Sequence, residues 1–307
     1  MSLLVTGSVG IDTVTTPHGS VNDVIGGSAV YFSWAAAAFG KVRLVAVVGE
    51  DFPKRMNRAF DHPNIDTRGL EHRAGSKTFR WAGRYDTTMN EATTTAVEIN
   101  VLGEKTPLVP ASFVDSKVVF LAATHPALQM ELLSQIKKPK LVVSDTRDLW
   151  IKSYTAEFLK SLKQIDGLVL NDLEARLITG EVNLVTALHK IRRLLKPSGP
   201  RMVVLKKGEH GCLAVWGDTL FAMPAFPTEK VIDPTGAGDS FAGGMLGYLA
   251  ASGKLNPATF KQAIAAGTVM ASFTIQAFSL AGLQKADKKA IKTRMTTFHK
   301  MLTAGLT

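Results

Sequence analysis

Asp233-Pro234-Thr235-Gly236-Ala237-Gly238-Asp239-Ser240-Phe241-Ala242-Gly243-Gly244 is the densest chemical signal in the chain. Lys230-Val231-Ile232 before it reads as the end of a strand. Ser240 to Ala251 after it reads as a helix, with Phe241, Met245 and Leu249 on one stripe. A glycine loop therefore opens a helix. The first N–H groups of a helix lack intrahelical acceptors and lie at the positive end of its dipole, which makes the loop a site for phosphate oxygens. Gly236 and Gly238 have no Cβ, so the backbone there can approach a ligand closely and adopt unusual dihedrals. Asp239 stands at the focus of those N–H groups. Taken alone, a Gly-x-Gly-Asp turn ahead of a helix is more often an N-cap than a catalytic site.

Working outward, short apolar runs recur: Leu3–Val5, Val42–Val48, Val118–Ala122, Leu141–Val143, Leu168–Leu170 and Met202–Leu205. Continuous Val/Leu/Ile runs of this length suit strands buried on both faces, as in a parallel sheet. Ala127–Ile136, Ala156–Leu162 and Leu184–Leu195 lie between them with helical spacing, so the pattern predicts an α/β fold with crossover connections. Near the end of the chain, Ile291, Met295, Phe298 and Leu302 share one helical face; Lys288, Lys289, Lys292 and Lys300 occupy the other. Two stretches break this rhythm. Thr13 to Ile25 carries a turn signal at Pro17-His18-Gly19-Ser20. Lys77 to Val101 alternates with period two: Phe79, Trp81 and Tyr85 against Thr78, Arg80 and Arg84, then Val97, Ile99 and Val101 against Ala96, Glu98 and Asn100. Half-exposed antiparallel strands alternate in this way. The two stretches are expected to form a small β-sheet projecting from the core, whose apolar face needs a cover, either substrate or a second subunit.

Composition narrows the function. The 307 residues are 46% apolar, which excludes an intrinsically disordered chain. A single cysteine, Cys212, excludes an intrachain disulfide and reads as a buried strand residue. The start MSLLVTGSVGID lacks the pattern of a signal peptide, and no apolar run reaches the roughly 18 residues that span a bilayer. A cytoplasmic soluble protein without membrane partners is expected. Lys plus Arg exceed Asp plus Glu by 36 to 26, giving +10. That excess fits a nucleic-acid surface, an anionic small molecule or solubility alone. The basic residues are spread along the chain with modest bunching near Lys285 to Lys300, without the aromatic interleaving of a nucleic-acid surface. No Gly-x-x-x-x-Gly-Lys-Ser/Thr occurs, nor a Gly-x-Gly-x-x-Gly after the first strand, nor His-Glu-x-x-His. His125, before Pro126, reads as a strand-end residue.

The full string from Asp233 to Gly244 resembles the C-terminal signature of the ribokinase-like, PfkB-type carbohydrate kinase family. Other pieces follow in order. Gly7-Ser8-Val9-Gly10-Ile11-Asp12 is similar to the family's first strand, and Asp12 holds the place of its sugar-binding Asp; Gly10 stands where the family usually has Asn. Gly26-Gly27 matches the family's Gly-Gly element, and Tyr31 stands where another sugar-contacting Asn is common. Asn171-Asp172-Leu173-Glu174 resembles the Asn-x-x-Glu motif that holds magnesium and phosphates, partly through water. Lys206-Lys207-Gly208 with Gly211 looks like the nucleotide-side strand and turn. Asp145-Thr146-Arg147 with Trp150 resembles a further family stretch without its usual Asn, and receives no role.

The resemblance implies a three-layer α/β/α core with a mostly parallel sheet and a small β-sheet lid. It implies one kinase domain over residues 1–307, with lid segments at about 12–26 and 77–102. It further implies phosphoryl transfer from ATP to a hydroxyl of a sugar-like small molecule. Asp239 would be general base, with the Gly236, Ala237 and Gly238 loop holding the developing charge. Asp12, Gly26, Gly27 and Tyr31 would line the substrate side. Asn171, Glu174, Lys206, Gly208, Gly211 and Thr235 would line the nucleotide side, with Mg²⁺ on Glu174 and Asn171 and room for a monovalent cation. Arg80 and Arg84 read as exposed strand charges. A nucleoside kinase, with Tyr31, Phe79, Trp81 and Tyr85 stacking on a base, is the alternative. A catalytically idle nucleotide binder associated with nucleic acid is the reading from another class. A homodimer through the lid would cover its apolar face.

Overall fold

Each continuous apolar run forms a strand, and these strands join into one nine-stranded sheet. The computed structural model describes residues 1–303. In chain order the strands are β1 (Leu3–Thr6), β2 (Gly10–Thr16), β3 (Gly19–Gly26), β4 (Val42–Gly49), β5 (Ile65–Arg73), β6 (Phe79–Tyr85), β7 (Ala92–Glu98), β8 (Val118–Leu121), β9 (Leu141–Asp145), β10 (Gly167–Asn171), β11 (Met202–Lys206), β12 (Cys212–Trp216) and β13 (Thr219–Met223). The large sheet runs β13-β12-β11-β10-β9-β8-β1-β4-β5. Every neighbouring pair from β5 to β11 is parallel. β12 and β13 extend one edge as an antiparallel hairpin.

Alternation along each strand buries both faces. Leu3, Val5, Phe120 and Val204 face one layer of the core, and Leu4, Leu121, Val203 and Leu205 the other. Burying a Val, Leu or Phe side chain stabilises by about 1.5–3 kcal/mol, which is why runs of this composition settle in the middle layer. The helices are α1 (Ser28–Ala37), α2 (Pro126–Ser134), α3 (Asp148–Ser153), α4 (Thr155–Leu162), α5 (Asp172–Thr179), α6 (Leu184–Leu194), α7 (Ala237–Ser252), α8 (Pro257–Thr274), α9 (Ala281–Gln284) and α10 (Lys288–Leu302). Side chains of α1, α7, α8, α9 and α10 pack on the first face. Those of α2 to α6 pack on the second. The result is a three-layer α/β/α arrangement. Ile291 and Phe298 are buried, and Met295 and Leu302 pack beside them, so the apolar stripe of α10 faces inward.

The two alternating stretches form the small sheet, in the order β3-β2-β6-β7. β2 and β3 are a hairpin turning at Pro17 and His18, and β2 pairs in parallel with β6. Several sequence expectations need correction. Lys230–Ile232 is not a strand; the Ile232 N–H donates instead to the Ile275 carbonyl beyond α8. The helix after the glycine loop begins at Ala237 rather than Ser240, so its N-cap is Gly236 and Asp239 lies within its first turn. His125 is not at a strand end: β8 stops at Leu121, and the His125 ring accepts the Ala127 N–H as the N-cap of α2. Asp12 does not end the first core strand but lies in β2 of the small sheet, and the alternation after Asn90 stops at Glu98.

Candidate active site

The chain leaves β1 for β4 and β5 on one side, and later for β8 to β11 on the other. Beyond the carboxyl ends of parallel strands, where the order reverses, open α/β sheets leave a crevice. β9, β10 and β11 end there at Asp145, Asn171 and Lys206, and Asn171 and Lys206 are direct partners across β10 and β11.

At this edge, the sequence Pro234-Thr235-Gly236 turns into α7. Gly236 adopts φ 76° and ψ 2°, a left-handed conformation that a residue with a Cβ adopts at a cost. A Cβ there would also lie 2.3 Å from Cγ of Tyr31. Tyr31 is buried, with its ring supporting the loop from below. No side chain caps α7. Ala237 N donates to the Pro234 carbonyl and Ser240 N to that of Gly236. Among the described residues, the N–H groups of Gly238 and Asp239 find no acceptor in another residue. Buried Asp233 fixes the approach to the turn: its Oδ1 accepts Thr235 N at 2.9 Å, and its Oδ2 accepts Ser279 N at 3.4 Å.

Asp239 is half-buried, and burial followed by the nearby Asp145 charge pushes its carboxyl up to about 7. Lys206 counteracts this. Its Nζ lies 3.5 Å from Asp145 Oδ2 and 2.7 Å from where a Gly238 Cβ would stand. Burial disfavours the ammonium, but Asp145, Glu174 and Asp239 outweigh it and hold Lys206 above its usual range. Asn171 and Glu174 close the start of α5 as a capping box. Asn171 Oδ1 accepts Glu174 N at 2.8 Å, and Glu174 Oε2 accepts Asn171 N at 2.9 Å. Burial, then the Asp145 charge, raises the Glu174 carboxyl.

Asp12 approaches from the small sheet. It is buried, its Oδ1 has no hydrogen-bond partner, and burial followed by the charges of Asp233 and Asp239 pushes it up to about 7. Gly26 leaves room for this carboxylate, since a Cβ there would lie 1.8 Å from Asp12 Oδ2. Gly27, at φ 104°, lets α1 begin against the Ser8 carbonyl, 2.4 Å from where its Cβ would be. Burial, then the Asp12 charge, pushes the Tyr31 phenol well above its ordinary range.

The small sheet reaches over this crevice. Asp12 and Trp81 are register partners in β2 and β6, so their side chains share a face. Trp81 lies along that face over Gly83, whose Cβ would be 2.2 Å from the indole Cη2. Its Nε1 donates to Thr94 Oγ1 at 3.1 Å, which fixes the ring. Tyr85 ends β6 and accepts a hydrogen bond from the Thr235 hydroxyl at 3.2 Å, tying the sheet to the glycine loop. The turn after β6 brings Asn90 Oδ1 within 3.4 Å of where a Gly208 Cβ would stand. Gly208 (φ 54°) and Gly211 (φ 74°) shape the turn between β11 and β12. Arg80 pairs with Asp51 at 3.2 Å and Asp23 at 3.3 Å, while Arg84 is exposed.

A family model described as pfkB family carbohydrate kinase matches residues 3–286. The chain belongs to that family. This kinase is 31% identical over 260 residues to a cytidine kinase of Thermococcus kodakarensis, covering 81% of this chain and 88% of that one. Its fold is like that of a Burkholderia thailandensis nucleoside kinase in complex with inosine, with TM-score 0.76, 19% identity, and 97% and 99% of the two chains covered. It is also like that of a protein assigned as ribokinase II from E. coli, in complex with ATP and Mg²⁺. There the TM-score is 0.76, the identity 13%, and the coverage 96% and 99%.

The kinase brings Asp239, Asn171, Glu174, Lys206 and Asp12 to one crevice and places Tyr31 beneath the loop. Sequence reasoning gave Asp145 no role and did not single out Asp233. An acidic residue ending an apolar strand run was the available signal for Asp145. Among the described residues, no three His, Cys, Asp or Glu side chains converge as a metal cage, and no helix is long and apolar enough to cross a membrane. One carboxylate beside a carboxamide, with Asp145 near, fits a hydrated Mg²⁺ held mainly by phosphates, since Mg²⁺ gives up water reluctantly.

Proposed function

We propose that this kinase transfers the γ-phosphoryl group of ATP to a pentose hydroxyl of a nucleoside. The observation that carries the chemistry is the uncapped start of α7, where two N–H groups without an acceptor in another described residue lie beside a carboxyl that burial makes basic. Asp239 takes the proton of the acceptor hydroxyl, help worth about 10²- to 10⁴-fold in rate. Its pKa near 7 suits a base working at neutral pH. The N–H groups of Gly238 and Asp239 receive the charge that builds on the transferring group. Mg²⁺, when bound, neutralises charge on the phosphates. Glu174 and Asn171 hold its water shell, Lys206 and the turn at Gly208 and Gly211 face the nucleotide, and Asp12 orients the sugar with its partnerless Oδ1.

The nucleoside is favoured over a free sugar by the indole of Trp81. A flat ring, pinned by Thr94 on the face that carries Asp12, is a platform for a planar base. The similarity to a cytidine kinase supports the same reading. The four-stranded sheet acts as the lid of a single kinase domain, with Tyr85 and Asn90 marking where it meets the core. The test is ATP turnover, corrected for hydrolysis, against cytidine, inosine, adenosine, ribose and other free sugars. Turnover confined to free sugars would remove the nucleoside assignment; no acceptor-dependent ADP formation with any of them would remove the kinase reaction itself. Trp81→Ala should raise KM for the nucleoside and leave KM for ATP near its original value.

A further inference from the structure

We infer that Lys206 is a catalytic residue that contacts the transferring phosphoryl group, and that Asp145 is the positioning residue that aims it. This rests on the phosphoryl-transfer reading of the site but not on which acceptor is used. Lys206 ends β11, and its side chain crosses the mouth of the crevice to the first turn of α7. Its Nζ is 2.7 Å from where a Gly238 Cβ would lie. That puts the ammonium against the first turn of α7, whose Gly238 and Asp239 N–H groups find no acceptor in another described residue. Asp145 divides its oxygens: Oδ1 accepts Thr146 N at 2.7 Å, and Oδ2 faces Lys206 Nζ at 3.5 Å. Gln129, buried on α2, donates to the Asp145 carbonyl at 3.2 Å and fixes the end of β9. The Oδ2 distance is longer than a charge-assisted hydrogen bond of about 2.7–2.9 Å. An ammonium carries three donors, so Asp145 steers Lys206 without using up its hydrogen-bonding capacity.

In the transfer, the acceptor oxygen bonds to the γ-phosphorus as the bond from that phosphorus to the β,γ-bridging oxygen breaks. ADP leaves with the bonding pair, and the acceptor proton passes to Asp239. Charge is spread over the three equatorial oxygens of the moving group, one of which lies between the α7 N–H groups and Lys206 Nζ. A contact stronger there than in the ground state lowers the barrier without tightening ATP binding.

The experiment compares the wild type with Lys206→Met, Asp145→Asn and the double variant. Calorimetry with Mg²⁺ measures affinity for ADP and for ADP plus aluminium fluoride, a planar phosphoryl mimic; steady-state kinetics follow in parallel. For Lys206→Met, kcat and affinity for the fluoride complex should each fall about 100-fold, with ADP affinity and KM for ATP within about threefold. Asp145→Asn should show a smaller loss with the same split. The double variant should stay as slow as Lys206→Met. If Lys206 only balances the charge of Asp145, the double variant recovers wild-type turnover and the proposal is overturned. Equal losses of ADP and fluoride-complex affinity with kcat retained also overturn it, because Lys206 would then bind the nucleotide uniformly. Should Lys206→Met not fold, the charge-balanced double variant carries the test. A wild type that binds neither nucleotide species removes the phosphoryl-transfer reading and this role with it, an outcome distinct from loss of the lysine's role alone.

Discussion

Two helices begin at the same edge of the sheet, and they treat the same physics in opposite ways. At α5 the capping box closes the turn, since Asn171 and Glu174 bond each other's backbone at 2.8 and 2.9 Å, while the N–H groups of Asp172 and Leu173 find no acceptor in another described residue. At α7 a left-handed Gly236 takes the N-cap place and no side chain closes the turn. The dipole favours an anion at both helix starts. At α5 the chain supplies that anion as Glu174, within the capping box. At α7 the Gly238 and Asp239 N–H groups find no acceptor in another described residue, and the carboxyl beside them, Asp239, is destabilised as an anion by burial. A helix start closed by its own side chains has its cap in place; one left open has room for a ligand to supply it.

The contrast is broken most directly at Asp239. Asp239→Asn keeps the shape and removes the proposed base, so kcat should fall about 10²- to 10⁴-fold while ADP affinity changes little. Near-normal turnover with the best acceptor would show that α7 is open for some other reason. In the wild type, kcat/KM should fall as pH drops below about 7, because the proposed proton acceptor is then occupied.

Next come the caps themselves. Gly236→Ala forces a Cβ into a left-handed residue against the Tyr31 ring, and should cost about 1–3 kcal/mol on thermal or urea unfolding. Asn171→Ala removes one side-chain acceptor from an otherwise ordinary helix start, for about 1 kcal/mol. Equal costs would mean that the open turn is no more demanding than the closed one. Glu174→Gln sharpens the comparison, because the amide oxygen can still accept Asn171 N. The capping box should survive, and half-saturating Mg²⁺ should rise about tenfold with kcat at saturating Mg²⁺ largely kept. An unchanged magnesium dependence would confine Glu174 to capping.

Much of this edge was legible in the chain. The loop from Asp233 to Asp239 is local, and its glycines announce a turn that side chains would obstruct. Asn171 and Glu174 lie three residues apart at a helix start, a spacing that a capping box requires. The parallel core was equally visible, because runs such as Met202–Leu205 have no polar face to offer solvent. What sequence could not show were contacts between distant strand ends. Asp145 gains its place only when β9 and β11 flank β10, which brings it to Lys206. Tyr31 stands where the resemblance places a substrate-contacting Asn, and the packing of α1 against α7 also lays its ring under Gly236. Boundaries failed where tertiary bonds replaced local ones, as at Ile232, whose N–H is taken by Ile275.

The smallest effect expected is on stability against pH, and it too separates the two helix starts. In the protein without ligands, burial first and then the Asp145 charge raise Asp239 to about 7 from 3.8. Between those values the folded state keeps a proton that the unfolded chain has released. Stability from this group is therefore complete below about pH 4 and is lost as pH rises through about 7. A carboxamide cannot ionise, so Asp239→Asn should gain in melting temperature on the wild type between pH 5 and pH 8. Asn171→Ala removes no titratable group, and its deficit should be the same at both pH values. A gain for Asp239→Asn that does not grow with pH would mean that the open helix start stabilises the Asp239 carboxylate as fully as a ligand would. The start of α7 would then not be poised for an external anion.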